Sequence, residues 1–591
     1  MQDLQVPPTE HHLAFRPADF NTLTAALEYA AKARTGIAFH DGKGQLNAVL
    51  TYTNLYVEAE RCAHRLIGLG LRRGEAVALI AETDPRFVIT FFACQFAGLI
   101  AVPLPVTVHL GGREAFVGTL ERLVGHSHAR VCLGTSDYAA FIAEAKLPGV
   151  LLAGDYSLLD AASAADQALQ PTLPDEVAYV QFTSGSTRMP RGAEITANGV
   201  LRNVEAMLRY GLVLTPEDRF CSWLPLYHDM GLVGKLLTPM CGQASVDYLD
   251  SRVFAMRPRL WPALISRNGA TISYSPPFGY ELCARRLRGD DAQSYRLKSW
   301  RIAGVGAEMI RADVLRRFAA AFAESGFDAR AFLPSYGMAE LGLGLSFAPL
   351  LTELATDHVD RDRCADEAVA VPVEADAEHA REFVLCGIVM PDYTVEIRDP
   401  EGTVRTDREV GEIFVRGPSI MRGYLDEPGA TADALKDGWL NTGDLGYRLQ
   451  DQLVITGRRK DLIIINGRNI WPQDLEFIAE SMGVRTGSAA AFSVHTSDAE
   501  EVVMVIECRI AEADDEAALL RKIRTAVRAE FGVDLRLVAA EPRALPRTSS
   551  GKLSRVRARQ LYESGGIPDR SGPVNDLSGS AVAGDDPAAS D

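Results

Sequence analysis

One ordered string constrains this chain more than any other: Thr183-Ser184-Gly185-Ser186-Thr187-Arg188-Met189-Pro190-Arg191-Gly192, set just after the apolar run Val177-Ala178-Tyr179-Val180. The run reads as a buried strand bounded by a turn signal. A loop of small residues and hydroxyls leaving a strand turns backbone N–H and side-chain O–H groups toward one point, which suits a polyphosphate. No Gly-Lys-Ser/Thr follows to open a helix, so this is not a Walker A sequence, and a P-loop NTPase reading loses its main support. Composition alone also fits a surface loop. The ordered Thr-Ser-Gly-Ser-Thr-x-x-Pro-x-Gly pattern is far more specific.

Around the loop, the chain predicts α/β architecture. From Phe20 to Val108, helix-like patterns alternate with short apolar runs such as Ala76–Ile80, as parallel strands joined by helices require. Further short strands are expected at Arg130–Leu133 and Val150–Leu152. Residues 87–108 carry no charge and are long enough for a bilayer, but Gly98, Pro103 and Pro105 interrupt them. A buried helix over about Phe87–Gly98 running into a strand at Ile100–Pro103 is the better account, so no transmembrane segment is expected. Leu350–Glu382 is acidic with little apolar periodicity and reads as a loop or solvated insertion.

Charge and cysteine usage exclude other classes. Lys+Arg 61 minus Asp+Glu 78 leaves −17, a poor balance for binding nucleic acid or an anionic membrane. None of the nine cysteines forms a C-x-x-C pair, so neither a zinc site nor a disulfide framework is signalled. A reduced, cytoplasmic compartment follows. Met1–Gln5 lacks a positive region leading into an apolar stretch, so no signal peptide is expected.

Further motifs come in order: Trp223–Gly231 (Trp-Leu-Pro-Leu-Tyr-His-Asp-Met-Gly), Gly304–Glu308, Pro334–Glu340, Gly438–Gly446, Gly457–Ile463 and Leu545–Arg555. Each has a plain reading: His228 on a surface turn, Glu340 solvated, Asp444 capping a turn, Lys552 a loop charge. Each also has usable chemistry. Tyr336 offers a flat face for a purine, Glu340 a hard oxygen ligand, and Asp444 two acceptor oxygens for a vicinal diol.

In this order and spacing the motifs resemble the adenylate-forming enzymes (acyl-CoA synthetases, firefly luciferase, peptide-synthetase adenylation domains), over roughly Phe20 to Arg559. Arg188 and the Leu-Tyr-His-Asp-Met-Gly string resemble the fatty acyl-AMP ligase branch. The resemblance implies an α/β fold with a large, multi-subdomain N-terminal adenylation domain over residues 1–459. A small mobile C-terminal α/β domain over residues 460–570 would follow, with its hinge at Lys460. Residues 571–591, rich in Gly, Ser, Ala and Asp, read as a disordered tail.

The same resemblance assigns roles. Lys552, His228 and Glu340 would be catalytic, with Glu340 the Mg²⁺ ligand. Thr183, Ser184, Gly185, Ser186 and Thr187 would hold the ATP phosphates. Gly306, Ala307, Glu308 and Tyr336 would bind adenine, and Asp444 and Arg458 the ribose. Tyr227, Met230, Ser275 and Phe278 would border the acyl pocket. Val305 stands where fatty acyl-AMP ligases usually carry Asn, and Tyr274–Tyr280 departs from the family's usual pocket string, so chain-length preference is not carried over.

The implied reaction uses ATP and Mg²⁺ to convert a medium- or long-chain fatty acid to its acyl-adenylate. The acyl group would then pass to a phosphopantetheinyl acyl carrier protein acting in trans. The positional match of Leu350–Glu382 to an insertion of that branch favours this acceptor. An acyl-CoA synthetase using CoA is the alternative, and a non-catalytic adenylate-binding relative a third. The basic stretch Arg521–Arg528 is a candidate face for an acidic carrier.

Overall fold

The computed structural model describes residues 5–9, 13–106, 112–183, 190–465, 468–495, 500–508, 513–547 and 553–570. The expected tail, 571–591, lies outside them. The described chain packs as two units, one reaching to Leu462 and the other spanning Ile463–Pro546 and resuming at Leu553.

In the larger unit, the alternating patterns form a six-stranded sheet in the order Leu152–Asp155, Val131–Gly134, Ala76–Ile80, Ile100–Leu104, Val177–Phe182, Gly192–Thr196. Its first five strands run parallel and the last is antiparallel. The uncharged stretch is the helix Pro85–Ala97 followed by the strand Ile100–Leu104. Asp84 starts the helix, its side chain accepting from the Arg86 amide at 2.8 Å, with Pro85 in the first turn. None of the described helices is long and apolar enough to cross a membrane.

A second, longer sheet is parallel through Phe332–Gly337, Ile302–Val305, Ile272–Ser275, Arg219–Ser222, Ser245–Leu249 and Gly36–His40. From Gly344–Phe347, which pairs antiparallel with Phe332–Gly337, the sheet is antiparallel and ends with Trp439–Leu449, Gly411–Arg416 and Thr394–Arg398. Aromatic rings lock its parallel half: Trp261 meets Trp300 edge-on at 5.1 Å, and its indole N–H donates to Ser273 Oγ at 2.8 Å.

The Leu350–Glu382 expectation needs correction. The segment contributes the strand Thr356–Asp360, the helix Arg361–Asp366 and the start of the strand Ala380–Val389. Val359, Cys364 and Phe383 pack with Leu385, Tyr447 and Val454 into a separate small core. Its apolar residues are spaced too widely to show a period, yet converge once the strands pair. Buried Asp357 ties this element down, accepting from Tyr447 Oη at 2.6 Å and from both terminal nitrogens of Arg408 at 3.0 and 3.1 Å.

The smaller unit has a three-stranded sheet, Ala489–His495, Glu500–Glu507 and Leu535–Ala540, with helices Pro472–Ser481, Ala513–Phe531 and Arg555–Glu563. Buried Glu476 accepts from Arg555 through two nitrogens, each at 2.7 Å. The basic stretch Arg521–Arg528 lies in the helix Ala513–Phe531, whose first turn carries Asp514, Asp515 and Glu516. Acid at the start and base toward the end is also what the helix dipole favours. All nine cysteines are buried and outside disulfides.

Candidate active site

Four parallel strands of the larger unit end at one place. Val177–Phe182, Ile272–Ser275, Ile302–Val305 and Phe332–Gly337 deliver Phe182, Thr183, Tyr274, Gly306, Ser335 and Tyr336 to the wall of a cavity of about 690 Å³. Crevices at the carboxyl ends of parallel strands are where open α/β sheets bind ligands. Two π-helical segments, Met207–Gly211 and Leu232–Leu237, supply Met207, Gly234 and Lys235, and such segments recur at functional sites.

Close approach fixes two glycines here. A Cβ on Gly231 would stand 2.0 Å from the Pro225 carbonyl oxygen, and one on Gly306 2.7 Å from that of Ser335. Ala307, next in the wall, holds φ at 70°. That left-handed conformation costs a residue with a Cβ about 1–2 kcal/mol and marks sites where the surroundings over-determine the backbone.

One end of the cavity is acidic and aromatic. Tyr336 Oη donates to Asp444 Oδ2 at 2.6 Å, and Arg458 Nε donates to Oδ1 at 3.0 Å. Burial, then the Asp444 charge, pushes the Tyr336 hydroxyl well above the usual phenol range. The Asp444 charge chiefly holds the Arg458 guanidinium in its protonated form. Glu340 is also in the wall; Tyr424 Oη donates to it at 2.8 Å, and burial raises its carboxyl above the ordinary glutamate range. His228 begins the short helical turn Asp229–Gly231, with Nδ1 2.6 Å from Asp229 Oδ1. The apolar wall is built by Met207, Leu212, Met230, Leu343 and Phe347.

Of the anticipated residues, Thr183, His228, Met230, Gly306, Ala307, Tyr336, Glu340, Arg458 and Lys460 line this one cavity. Asp444 lies behind the wall, holding two of its members, Tyr336 and Arg458. Four others do not line it. Tyr227 is buried and its carbonyl accepts from Gln181 Nε2 at 2.6 Å. Ser275 is fully buried, its hydroxyl donating to the Pro276 carbonyl at 2.8 Å. Phe278 packs edge-on against Trp223, and Glu308 accepts from the Phe278 amide at 3.4 Å. Strand alternation explains the shift, because Tyr274 faces the cavity and Ser275 therefore points away. Ser184, Gly185, Ser186, Thr187 and Lys552 lie outside the described residues.

Several wall residues carry chemistry to which the motifs assign no role, Tyr424, Gln181 and Lys235 among them. Tyr424, which supports Glu340, belongs to no recognisable string. Gln181 precedes the loop and buttresses the Tyr227 carbonyl. Lys235 had a signal: it is the single charge in Leu232-Val233-Gly234-Lys235-Leu236-Leu237. Among the described residues no group of three or more His, Cys, Asp or Glu side chains could hold a metal. Mg²⁺ bound through one carboxylate, phosphates and water needs no such cage, so the single Glu340 carboxylate fits it.

Comparison with known proteins bears on this site. The family described as AMP-binding enzyme matches residues 28–425. A Caulobacter vibrioides protein provisionally named an acyl-CoA synthetase is 45% identical over 96% of this chain and 99% of its own. A medium-chain-fatty-acid–[acyl-carrier-protein] ligase of Teredinibacter turnerae is 31% identical over 82% of this chain and 84% of its own. A solved structure from work on fatty acyl-adenylate ligases of E. coli and L. pneumophila superposes with a TM-score of 0.90. It has 42% identity and covers 93% of this chain and 99% of that one.

Proposed function

This chain belongs to the AMP-binding enzyme family and is a ligase, and from that premise we propose that it activates a medium- or long-chain fatty acid with ATP and loads it onto an acyl carrier protein. The observation that carries the proposal is that one cavity joins the acidic and aromatic cluster of Tyr336, Arg458 and Glu340 to the apolar wall of Met207, Leu212, Met230 and Phe347. An acyl-adenylate has those two ends.

In the first step a carboxylate oxygen of the acid attacks the α-phosphorus of ATP, and the bond to the pyrophosphate leaving group breaks. Both reactants are anionic, so the protein's task is positioning and charge neutralisation. Tyr336, Gly306 and Ala307 hold adenine. Asp444 orients Tyr336 and Arg458; two of its roughly four lone-pair directions are taken, leaving the others for the ribose hydroxyls. Thr183 and its loop are assigned the departing pyrophosphate, His228 the acid's carboxylate, and Lys552 the neutralisation of carboxylate and α-phosphate as they meet. Mg²⁺ at Glu340 supplies neutralising charge to the phosphates. In the second step a thiol attacks the acyl carbonyl of the mixed anhydride and AMP leaves, after the domain over residues 460–570 turns about Lys460 against the domain over residues 1–459.

The Teredinibacter turnerae relative supports the carrier protein as acceptor, and the nine buried thiols fit a reducing cytoplasm. A second reading, CoA as acceptor, has its support in the Caulobacter vibrioides relative. One experiment separates them. Protein, ATP, Mg²⁺ and dodecanoate are incubated with CoA or with a holo carrier protein, and acyl-AMP, acyl-CoA and acyl-carrier are followed by mass spectrometry. Carrier loading without acyl-CoA is expected. Efficient acyl-CoA formation establishes the second reading, and no acyl-AMP with any fatty acid overturns both.

A further inference from the structure

Lys235 stands in the cavity wall on the segment Leu232–Leu237, with 2% of its surface exposed. No ion pair reaches it among the described residues. Its ammonium sits 3.9 Å from the centre of the Tyr274 ring and 5.2 Å from that of Phe220. Aromatic faces recover part of the hydration a buried cation loses, not all of it. Burial accordingly drives this amine well below the ordinary lysine range.

Tyr274 brings a second, independent observation. It also lines the cavity, its hydroxyl is buried, and that oxygen has no hydrogen-bond partner among the described residues. Ser335 is close enough to influence the hydroxyl without reaching hydrogen-bonding geometry. The ring is clamped, because a Cβ on Gly304 would come within 2.1 Å of it. Two buried donors thus share one stretch of wall, beside a glycine, Gly234, that abuts Leu343. Buried donors in native proteins are normally satisfied, and a purely apolar acyl tunnel has no use for either. A plain alkyl chain lying here gives the amine no acceptor; an oxygen on the chain gives it one, beside a phenol that has none among the described residues.

We propose that Lys235 and Tyr274 form a second recognition point in the acyl part of the cavity, selecting an acid whose chain carries an acceptor oxygen away from the carboxyl group that is activated. This rests on the adenylation reading and narrows its substrate class. Carboxylate, oxo and hydroxyl groups share the required chemistry. A second carboxylate adds a counter-charge for the lysine, whereas oxo and hydroxyl oxygens add only acceptors.

The test measures acyl-AMP formation, as kcat/KM from pyrophosphate release, for dodecanoate, dodecanedioate, an oxododecanoate and a hydroxydodecanoate. Wild type, Lys235→Met and Tyr274→Phe are compared. Wild type is expected to favour at least one oxygenated acid over dodecanoate by about ten-fold or more, the scale of one good hydrogen bond. Lys235→Met is expected to collapse that ratio by about the same factor, and Tyr274→Phe, which removes only the oxygen, to lower it in the same direction. A preference for dodecanoate in wild type, or a ratio unmoved by both variants, overturns the proposal while leaving adenylation intact. Absence of acyl-AMP with every acid overturns the adenylation reading and this proposal with it. The relative ranking of dodecanedioate against the oxo and hydroxy acids tells whether the lysine acts through its charge.

Discussion

Tyr336 and Asp444 are joined by a 2.6 Å hydrogen bond, phenol to carboxylate, that ties the last parallel strand of the long sheet to its antiparallel half. Asp444 and Arg458 are also cross-strand partners, so the same carboxylate fixes two wall residues at once. Asp444→Asn keeps the shape but removes the charge and leaves one oxygen to serve both donors. Hydrogen bonds to a charged group contribute about 1.5–3 kcal/mol each, so KM for ATP should rise about ten- to one-hundred-fold. KM for the fatty acid should change much less. A variant with wild-type KM for ATP would remove Asp444 from the nucleotide site.

The proposed function gives Lys552 the central part in the chemical step. Replacing one electrostatic stabiliser of a developing charge typically costs about 10²–10³ in rate. Lys552→Ala should therefore slow acid-dependent ATP–pyrophosphate exchange by about that factor. The transfer of a chemically supplied acyl-adenylate to the thiol acceptor should fall far less, since that half-reaction brings together no two anions. Equal loss in both half-reactions would point to a structural role instead.

Much of this site was legible in the sequence because its pieces are local. Thr183 at the end of its strand, the turn from His228 to Gly231, the Gly306-Ala307 pair and the Tyr336–Glu340 stretch each bring their cavity-lining groups within a few residues. What was not legible depends on pairing distant strands. Tyr424 meets Glu340 across 84 positions, and nothing near Tyr424 announces it. Ser275 and Tyr274 trade places because a strand's period of two decides which faces the cavity, and the register is set by neighbours Ile302–Val305 and Arg219–Ser222. The Leu350–Glu382 segment looked unstructured for a related reason: its core partners, Tyr447 and Val454, arrive from far along the chain.

That segment gives a stability prediction. Asp357 is 8% exposed and receives three hydrogen bonds, one from the fully buried Tyr447 hydroxyl. Asp357→Ala strands the phenol without an acceptor and Arg408 without its counter-charge. The combined loss should be about 3 kcal/mol. Calorimetry should show a lower melting temperature for the transition of the larger unit. Asp357→Asn, which still accepts from Tyr447, should lose less. An unchanged melting temperature in Asp357→Ala would mean the element is held by its apolar core alone.

Lys235 yields the opposite sign. Its amine is pushed below the lysine range on folding, whereas in the unfolded chain it titrates at about 10.4. Below the folded value the buried charge destabilises the native state by a constant amount. Between the folded and unfolded values the unfolded chain binds more protons, so stability rises with pH and the penalty shrinks. The titratable groups packed nearby do not obscure this. Burial pushes Cys221, Tyr248 and Tyr274 up, so they stay neutral across the same range. Lys235→Met, similar in length and unbranched, should therefore melt higher than wild type. The gain should be largest at low pH and fade as the pH approaches about 10, where the unfolded chain also loses the proton. Melting curves of both proteins across that range supply the difference directly. A variant that melts lower than wild type at every pH would show that the lysine's contacts with Tyr274 and Phe220 outweigh its desolvation, and that the native state is satisfied without any oxygen from a substrate.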